Sequence, residues 1–298
     1  MIKGFAVKGQ IALAVVMGLV AAPAMAQVYS PHLPNVDYAH FEKEGNILFQ
    51  ESLQLVQIRQ FALARSRMQL ATQLIPKNPK AWSFLGGLYL AEDKTDEALA
   101  ALLKALALDP KDASVLFRLG NVYFQKKDYG QSIAALQAGL EIRPDTPGAL
   151  FDMGNTFLVQ RKSKEAISVY EKAYAMDGDF WFPLNNIGLI RYEAGNLKES
   201  VRLWRSILAK KSTLPDREAA KDEPKLALAV ALYRQGDREE SLTLAKEVLR
   251  SERGYSDVKF LRDNLWGDRL VADTQKLLQE KSIQAVLQEE EVPLPAKP

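Results

Sequence analysis

Side chains able to do chemistry are few and scattered along this 298-residue chain. There is no cysteine, so a thiolate nucleophile and a disulfide are both ruled out. The two histidines, His32 and His40, stand eight residues apart with Pro34 between them. A metal held there would need further ligands, and the nearest are the carboxylates of Asp37 and Glu42. Solvent-facing linker histidines are the simpler reading. Glu92, Asp93 and Asp96 cluster in sequence, but at a position that reads as an inter-helix turn, where such acids cap helices. No glycine-rich phosphate loop and no G-x-S-x-G elbow occurs. The chain is therefore expected to be non-catalytic, with no cofactor and no metal.

Charge narrows the partners. The first 26 residues hold Lys3 and Lys8, an apolar run over 11–20, Pro23 and the processing signature Ala24-Met25-Ala26. This pattern predicts a secretory signal peptide cut after Ala26, with an uncleaved anchor over residues 9–26 as the alternative. Without Lys3 and Lys8, the 39 basic residues fall to 37, against 37 acidic ones. A neutral chain lacks the basic stripe that nucleic acid demands and the charge for electrostatic membrane attachment. A membrane partner is expected only if the signal stays uncleaved.

What must position any site is a repeat. The stretch from Pro79 has Trp82, Leu85, Gly86, Tyr89, Ala98, Leu102, Ala105 and Pro110. At a step of 34 the next has Leu116, Leu119, Gly120, Tyr123, Ser132, Leu136, Gly139 and Pro144. The third has Leu150, Met153, Gly154, Phe157, Ala166, Tyr170 and Ala173, and the fourth Leu184, Ile187, Gly188, Ser200, Trp204 and Ile207. A weaker copy begins at Gly45, with Glu51 and Ser52 where leucine and glycine are usual. A late copy begins near Asp222, after an inserted loop at 215–221 that contains Pro215. Apolar spacings of three and four mark helices, small residues allow close helix approach, and the prolines separate one helix pair from the next.

These residues resemble the tetratricopeptide repeat, W-x2-L-G-x2-Y followed by A, L, A and P. The resemblance implies an all-α, right-handed α-solenoid of about six helix pairs with a C-terminal capping helix. The expected organisation is a signal peptide at 1–26, a linker at 27–44 and repeats at 45–78, 79–112, 113–146, 147–180, 181–214 and 222–255. A capping helix at 256–280 and a flexible tail at 281–298 complete it. The tail carries Glu289-Glu290-Glu291 and three prolines.

The resemblance also implies that the first helix of each pair lines a concave groove, through the second, fifth, ninth, twelfth and thirteenth residues of a copy. That gives Lys80, Ser83, Gly87 and Leu90 from the copy at Pro79, and then the peptide-binding candidates proper. They are Phe117, Asn121, Phe124 and Gln125; Phe151, Asn155 and Leu158; and Phe182, Asn185, Leu189 and Tyr192. Asparagine can satisfy the backbone of an extended peptide, and the rings offer apolar area. The family's clamp for a free carboxyl terminus is not expected. Asn155 and Asn186 match its amides, but Phe151, Glu223 and Ala227 replace its three basic residues. The run Asn264-Leu265-Trp266-Gly267-Asp268 resembles exported repeat proteins of cyanobacteria and plastids, which implies a periplasm or thylakoid lumen. The resulting expectation is an exported adaptor that binds a protein or peptide in its groove during assembly of an envelope or thylakoid complex. The alternative is a self-associating structural subunit of such a complex.

Overall fold

The computed structural model describes residues 38–211 and 220–289. The expected signal segment, His32, Asp37, most of the expected inserted loop and residues 290–298 lie outside the described residues. Among the described residues fifteen α-helices follow in order. They are α1 (Tyr38–Gln57), α2 (Phe61–Leu74), α3 (Pro79–Ala91), α4 (Thr95–Leu108), α5 (Ala113–Gln125), α6 (Tyr129–Ile142), α7 (Pro147–Val159) and α8 (Ser163–Met176). Then come α9 (Phe182–Glu193), α10 (Leu197–Ala209), α11 (Asp222–Gln235), α12 (Arg238–Ser251), α13 (Val258–Asp263), α14 (Asp268–Leu278) and α15 (Lys281–Gln288). No strand occurs among the described residues.

The helix ends are written locally. Pro79 and Pro147 open α3 and α7, where a missing N–H costs nothing. Asn78 and Asp112 accept from backbone N–H groups of the first turns of α3 and α5. Each helix pair turns on one residue in the left-handed region: Arg59, Asp93, Lys127, Arg161, Gly195 and Gly236. The first five are 34 apart, and the sixth is displaced by the insertion. Each turn closes with the same backbone bond, as from Lys94 N to the Tyr89 carbonyl at 2.9 Å and from Asp237 N to the Leu232 carbonyl at 3.0 Å. The sequence period is thus repeated in backbone geometry.

Within a pair, the glycine of the first helix faces the large residue of the second. A Cβ on Gly86, Gly120, Gly154 or Gly188 would stand 2.6, 2.6, 2.3 or 2.7 Å from Leu102, Leu136, Tyr170 or Trp204. Those four large residues are fully buried, each worth roughly 1.5–3 kcal/mol of apolar burial. The outer copies have Ser52 and Ala229 at this place, and in each a serine hydroxyl bridges the pair. Ser52 of α1 donates to the Ala64 carbonyl of α2 at 2.7 Å, and Ser241 of α12 to the Ala229 carbonyl of α11 at 2.7 Å.

Helices α3, α5, α7 and α9 also touch one another in sequence, α3 with α5, α5 with α7 and α7 with α9. The even-numbered helices between them make no comparable contact among the described residues. Helices α3, α5, α7 and α9 therefore line the tighter, inner side of the stack. Two boundaries differ from the sequence reading. Residues 38–44, expected as linker, are the first turns of α1, since no proline follows Pro34 before Pro76. Residues 281–288, expected as tail, form α15 and bury Ile283 and Val286. The expected cap over 256–280 is broken into α13 and α14 by a turn at Leu265, which has φ 65°.

Candidate protein-binding face

The inner helices are joined by a ladder of polar side chains. The ninth residue of one copy meets the sixth of the next. Gly87 lies against Arg118, whose Nη1 donates to the Ser83 carbonyl at 3.1 Å. By the same register Asn121 stands near the Asp152 side chain and favours its charged form. The Asn155 Oδ1 accepts from Asn186 Nδ2 at 2.9 Å and from the Tyr170 hydroxyl at 2.6 Å. Asn185 continues the row, accepting from Trp204 Nε1 at 3.0 Å and donating to Glu223 Oε1 at 3.0 Å. The Glu223 oxygen also accepts from Trp266 Nε1 at 3.2 Å.

Two acids in this row are held near neutrality. Burial pushes Asp152 up to about 6 against the lowering effect of Asn121. Burial pushes Glu223 up to about 7 against the bonds from Asn185 and Trp266. Among the described residues, no basic side chain contributes to either shift.

The candidate residues divide into three groups. Asn121 and Gln125 are exposed on α5, and Phe124 is half-buried beside Tyr129 with ring centroids 5.8 Å apart. Leu158 is half-buried on α7. A second group serves packing within a repeat and between neighbouring ones. Phe117 lies under the Arg143 guanidinium at 5.2 Å, and Phe151 stands edge-on to Phe180 at 5.4 Å. Phe182 stacks on Trp181 at 4.0 Å, and Asn155 is engaged in the ladder. The third group, Asn185, Leu189 and Tyr192, is buried at 1–2% exposure. These three were expected to line an open groove. They are covered instead, because α14 lies on the inner side of α9 and α11.

The cover is built from specific contacts. Tyr192 donates to Asp273 Oδ2 at 2.8 Å, and Arg234 pairs with the same oxygen at 2.6 Å. Burial alone would raise the Asp273 carboxyl, but bonds from Lys276, Tyr192 and Arg234 outweigh it and hold the acid below its ordinary value. Glu193 accepts from the N–H groups of Arg269 and Leu270 and so caps α14. A Cβ at Gly267 would lie 2.2 Å from Glu193, so only glycine admits this cap. Trp266 is 2% exposed. Where the cover ends, a cleft of about 470 Å3 opens between Leu158 and Val159 of α7, Leu189 and Ile190 of α9, and Leu265.

Sequence reasoning passed over Arg118 and Asp152. The signal was present, since both occupy the sixth place of a copy, as does Asn186, which was singled out. No group of three or more His, Cys, Asp or Glu side chains able to hold a metal occurs among the described residues.

Sequence models of the tetratricopeptide repeat match residues 86–127, 120–160 and 226–253. No curated protein sequence matches. Among solved structures, PilW, described as a widely conserved type IV pilus biogenesis factor, is 18% identical with a TM-score of 0.61, over 74% of this chain and 98% of PilW. PilF of Pseudomonas aeruginosa is 16% identical with a TM-score of 0.59, over 76% and 99%. MamA is 22% identical with a TM-score of 0.50, over 53% and 92%. At these identities the likeness concerns the fold. With its 34-residue turn geometry and three segments matched by the repeat models, this chain has the fold of a tetratricopeptide-repeat solenoid.

Proposed function

We propose that the protein is a non-catalytic scaffold that holds another protein along the inner side of α3, α5 and α7. The observation that carries this is the division of the inner face. The chain's own C-terminal helices occupy it at α9 and α11, yet make no comparable contact with α3 or α5 among the described residues. What remains open presents Asn121, Gln125, Phe124, Asp152 and Leu158, a mixture of amide, acid and apolar side chains suited to a peptide. The scaffold role of a solenoid with such a face is supported by its fold likeness to the pilus factor PilW. The start of the chain supports export: residues 1–26 serve as a signal, and the partner belongs to an envelope or thylakoid complex in assembly. Photo-cross-linking in the source cells tests this, with the cross-linker placed at Asn121 or Gln125 and, as a control, at Leu103 of α4. A protein adduct specific to the α5 positions is expected. Adducts equal at all three sites, or none, would refute the inner-face assignment.

A second reading has its own observation. Large apolar side chains are exposed at the first repeat, on Phe41 and Ile47 of α1, on Ile58, and on Phe61, Leu63 and Leu70 of α2. The other end of the stack is covered by α15 and the helices before it. Self-association through the uncovered end makes the protein a structural subunit. Sedimentation velocity of residues 27–298 over a range of concentrations decides it. A monomer throughout removes this reading, and a dimer abolished by Leu63→Asp supports it.

A further inference from the structure

The polar row of the inner face contains two half-buried acids, and the molecule shows how one of them is satisfied. Glu223, at the covered end, receives the indole N–H of Trp266, brought in from the C-terminal segment. An aromatic body fills the inner face while its polar tip meets the acid. Asp152 stands in the same row one repeat further from that cover, on the open part. Its side chain meets Asn121 of α5, and its environment on α7 otherwise consists of neutral groups, with the Asn155, Tyr170 and Asn186 cluster beside it. Arg118, the nearest basic residue by register, is turned back to the Ser83 carbonyl. A half-buried carboxylate without a cationic partner among the described residues is costly to the folded chain, and an incoming positive charge would recover much of that cost.

From this arrangement we infer that Asp152 is the specificity anchor of the proposed binding face, taking the ammonium or guanidinium group of a lysine or arginine in an extended partner segment. The inference rests on the inner-face reading above. Its second element is distance. Leu158, at the mouth of the apolar cleft, is six residues along α7 from Asp152, or roughly 9 Å at 1.5 Å per residue. An extended chain advances about 3.3 Å per residue, so a side chain about three places from the basic one reaches that cleft. The recognised segment is a basic residue with a bulky apolar residue about three positions away. The balanced charge of residues 27–298, 37 basic against 37 acidic, fits recognition by one buried acid better than by a charged field.

The test is a display selection of random twelve-residue peptides on residues 27–298, followed by titration of the enriched peptides. Wild-type protein is expected to enrich lysine or arginine with a bulky apolar residue about three places away. Asp152→Asn should weaken those peptides by about tenfold or more and erase the basic preference. Asp152→Glu should keep the preference, and Leu158→Ala should relax the apolar one. Thermal melting checks the fold, and Asp152→Asn should melt no lower than wild type because it removes a poorly solvated charge. Peptides that bind, compete at Asn121 and Gln125, and carry no basic residue would overturn the anchor while leaving the binding face intact. Failure to enrich any peptide would overturn both. A basic preference unchanged in Asp152→Asn would place the anchor elsewhere and refute this inference alone.

Discussion

Replacing Glu223 with glutamine should change how stability depends on pH. The acid lies between Asn185 and Trp266, and burial raises it from 4.5 to about 7 in the folded chain. In the unfolded chain it titrates near its ordinary value. Between about pH 4.5 and pH 7 the unfolded chain releases this proton while the folded chain keeps it. Folding therefore loses stability as pH rises through that window, and the loss is complete above it. The difference of 7 − 4.5, or about 2.5 units, at 1.36 kcal/mol per unit sets a ceiling of about 3 kcal/mol. Glutamine can accept the same two hydrogen bonds and has no proton to lose. Urea denaturation of both proteins at pH 5 and pH 8 measures the effect. Relative to wild type, Glu223→Gln should gain about 2–3 kcal/mol on going from pH 5 to pH 8. Asp152 titrates in an overlapping range, but it is common to both proteins and cancels in the difference. If the two stabilities change in parallel with pH, the carboxyl is not held near neutrality and the account of this buried row is wrong.

Further predictions follow from the packing. Gly154→Ala places a methyl 2.3 Å from the Tyr170 ring and should cost about 1–3 kcal/mol, read as a lower melting temperature. Gly236→Ala meets no atom within 4 Å but forces alanine to φ 92°; it should cost about 1–2 kcal/mol, and an unchanged denaturation midpoint would contradict the turn assignment. Trp266→Ala should cost about 3–5 kcal/mol and speed hydrogen exchange in α14 and the inner side of α9 before it does so in α3 to α6. Asp273→Asn removes the charge and one of the two oxygens that serve Tyr192, Arg234 and Lys276, and should cost roughly 1–3 kcal/mol at pH 7. The Asp273 carboxyl lies below its ordinary 3.8, so its contribution is present above that value and lost as pH falls through the lowered one; the cost should therefore vanish in strong acid.

Much of the fold was legible because the repeat is local. Gly86, Gly120, Gly154 and Gly188, with the residues sixteen places on, fix how two neighbouring helices cross. That contact is made within one copy, so it leaves its trace at a constant interval. The site was legible only in part. Asn121 and Gln125 are where the register puts them, exposed on α5. Asn155 is also on the inner side, but its amide is consumed by Asn186 and Tyr170, since a register specifies direction and not partners. The phenylalanines at the fifth place were expected to line the groove. In the structure Phe117 and Phe151 turn to Arg143 and Phe180, because large rings gain more from packing against their own repeat than from facing water.

By itself the sequence determined the helix pairs, their order and the side that faces inward. Periodic apolar residues, glycines and capping acids act over one to two turns of helix, and that range is contained in any single copy. Only the tertiary structure decided which part of the inner face stays open. Tyr192 and Asp273 are 81 residues apart in the chain, and no interval marks their meeting. The docking of α14 on α9 and α11 depends on the shape left by two whole repeats, on Gly267 admitting Glu193, and on Trp266 reaching Glu223. Such contacts are made once, so they have no period from which they could have been read.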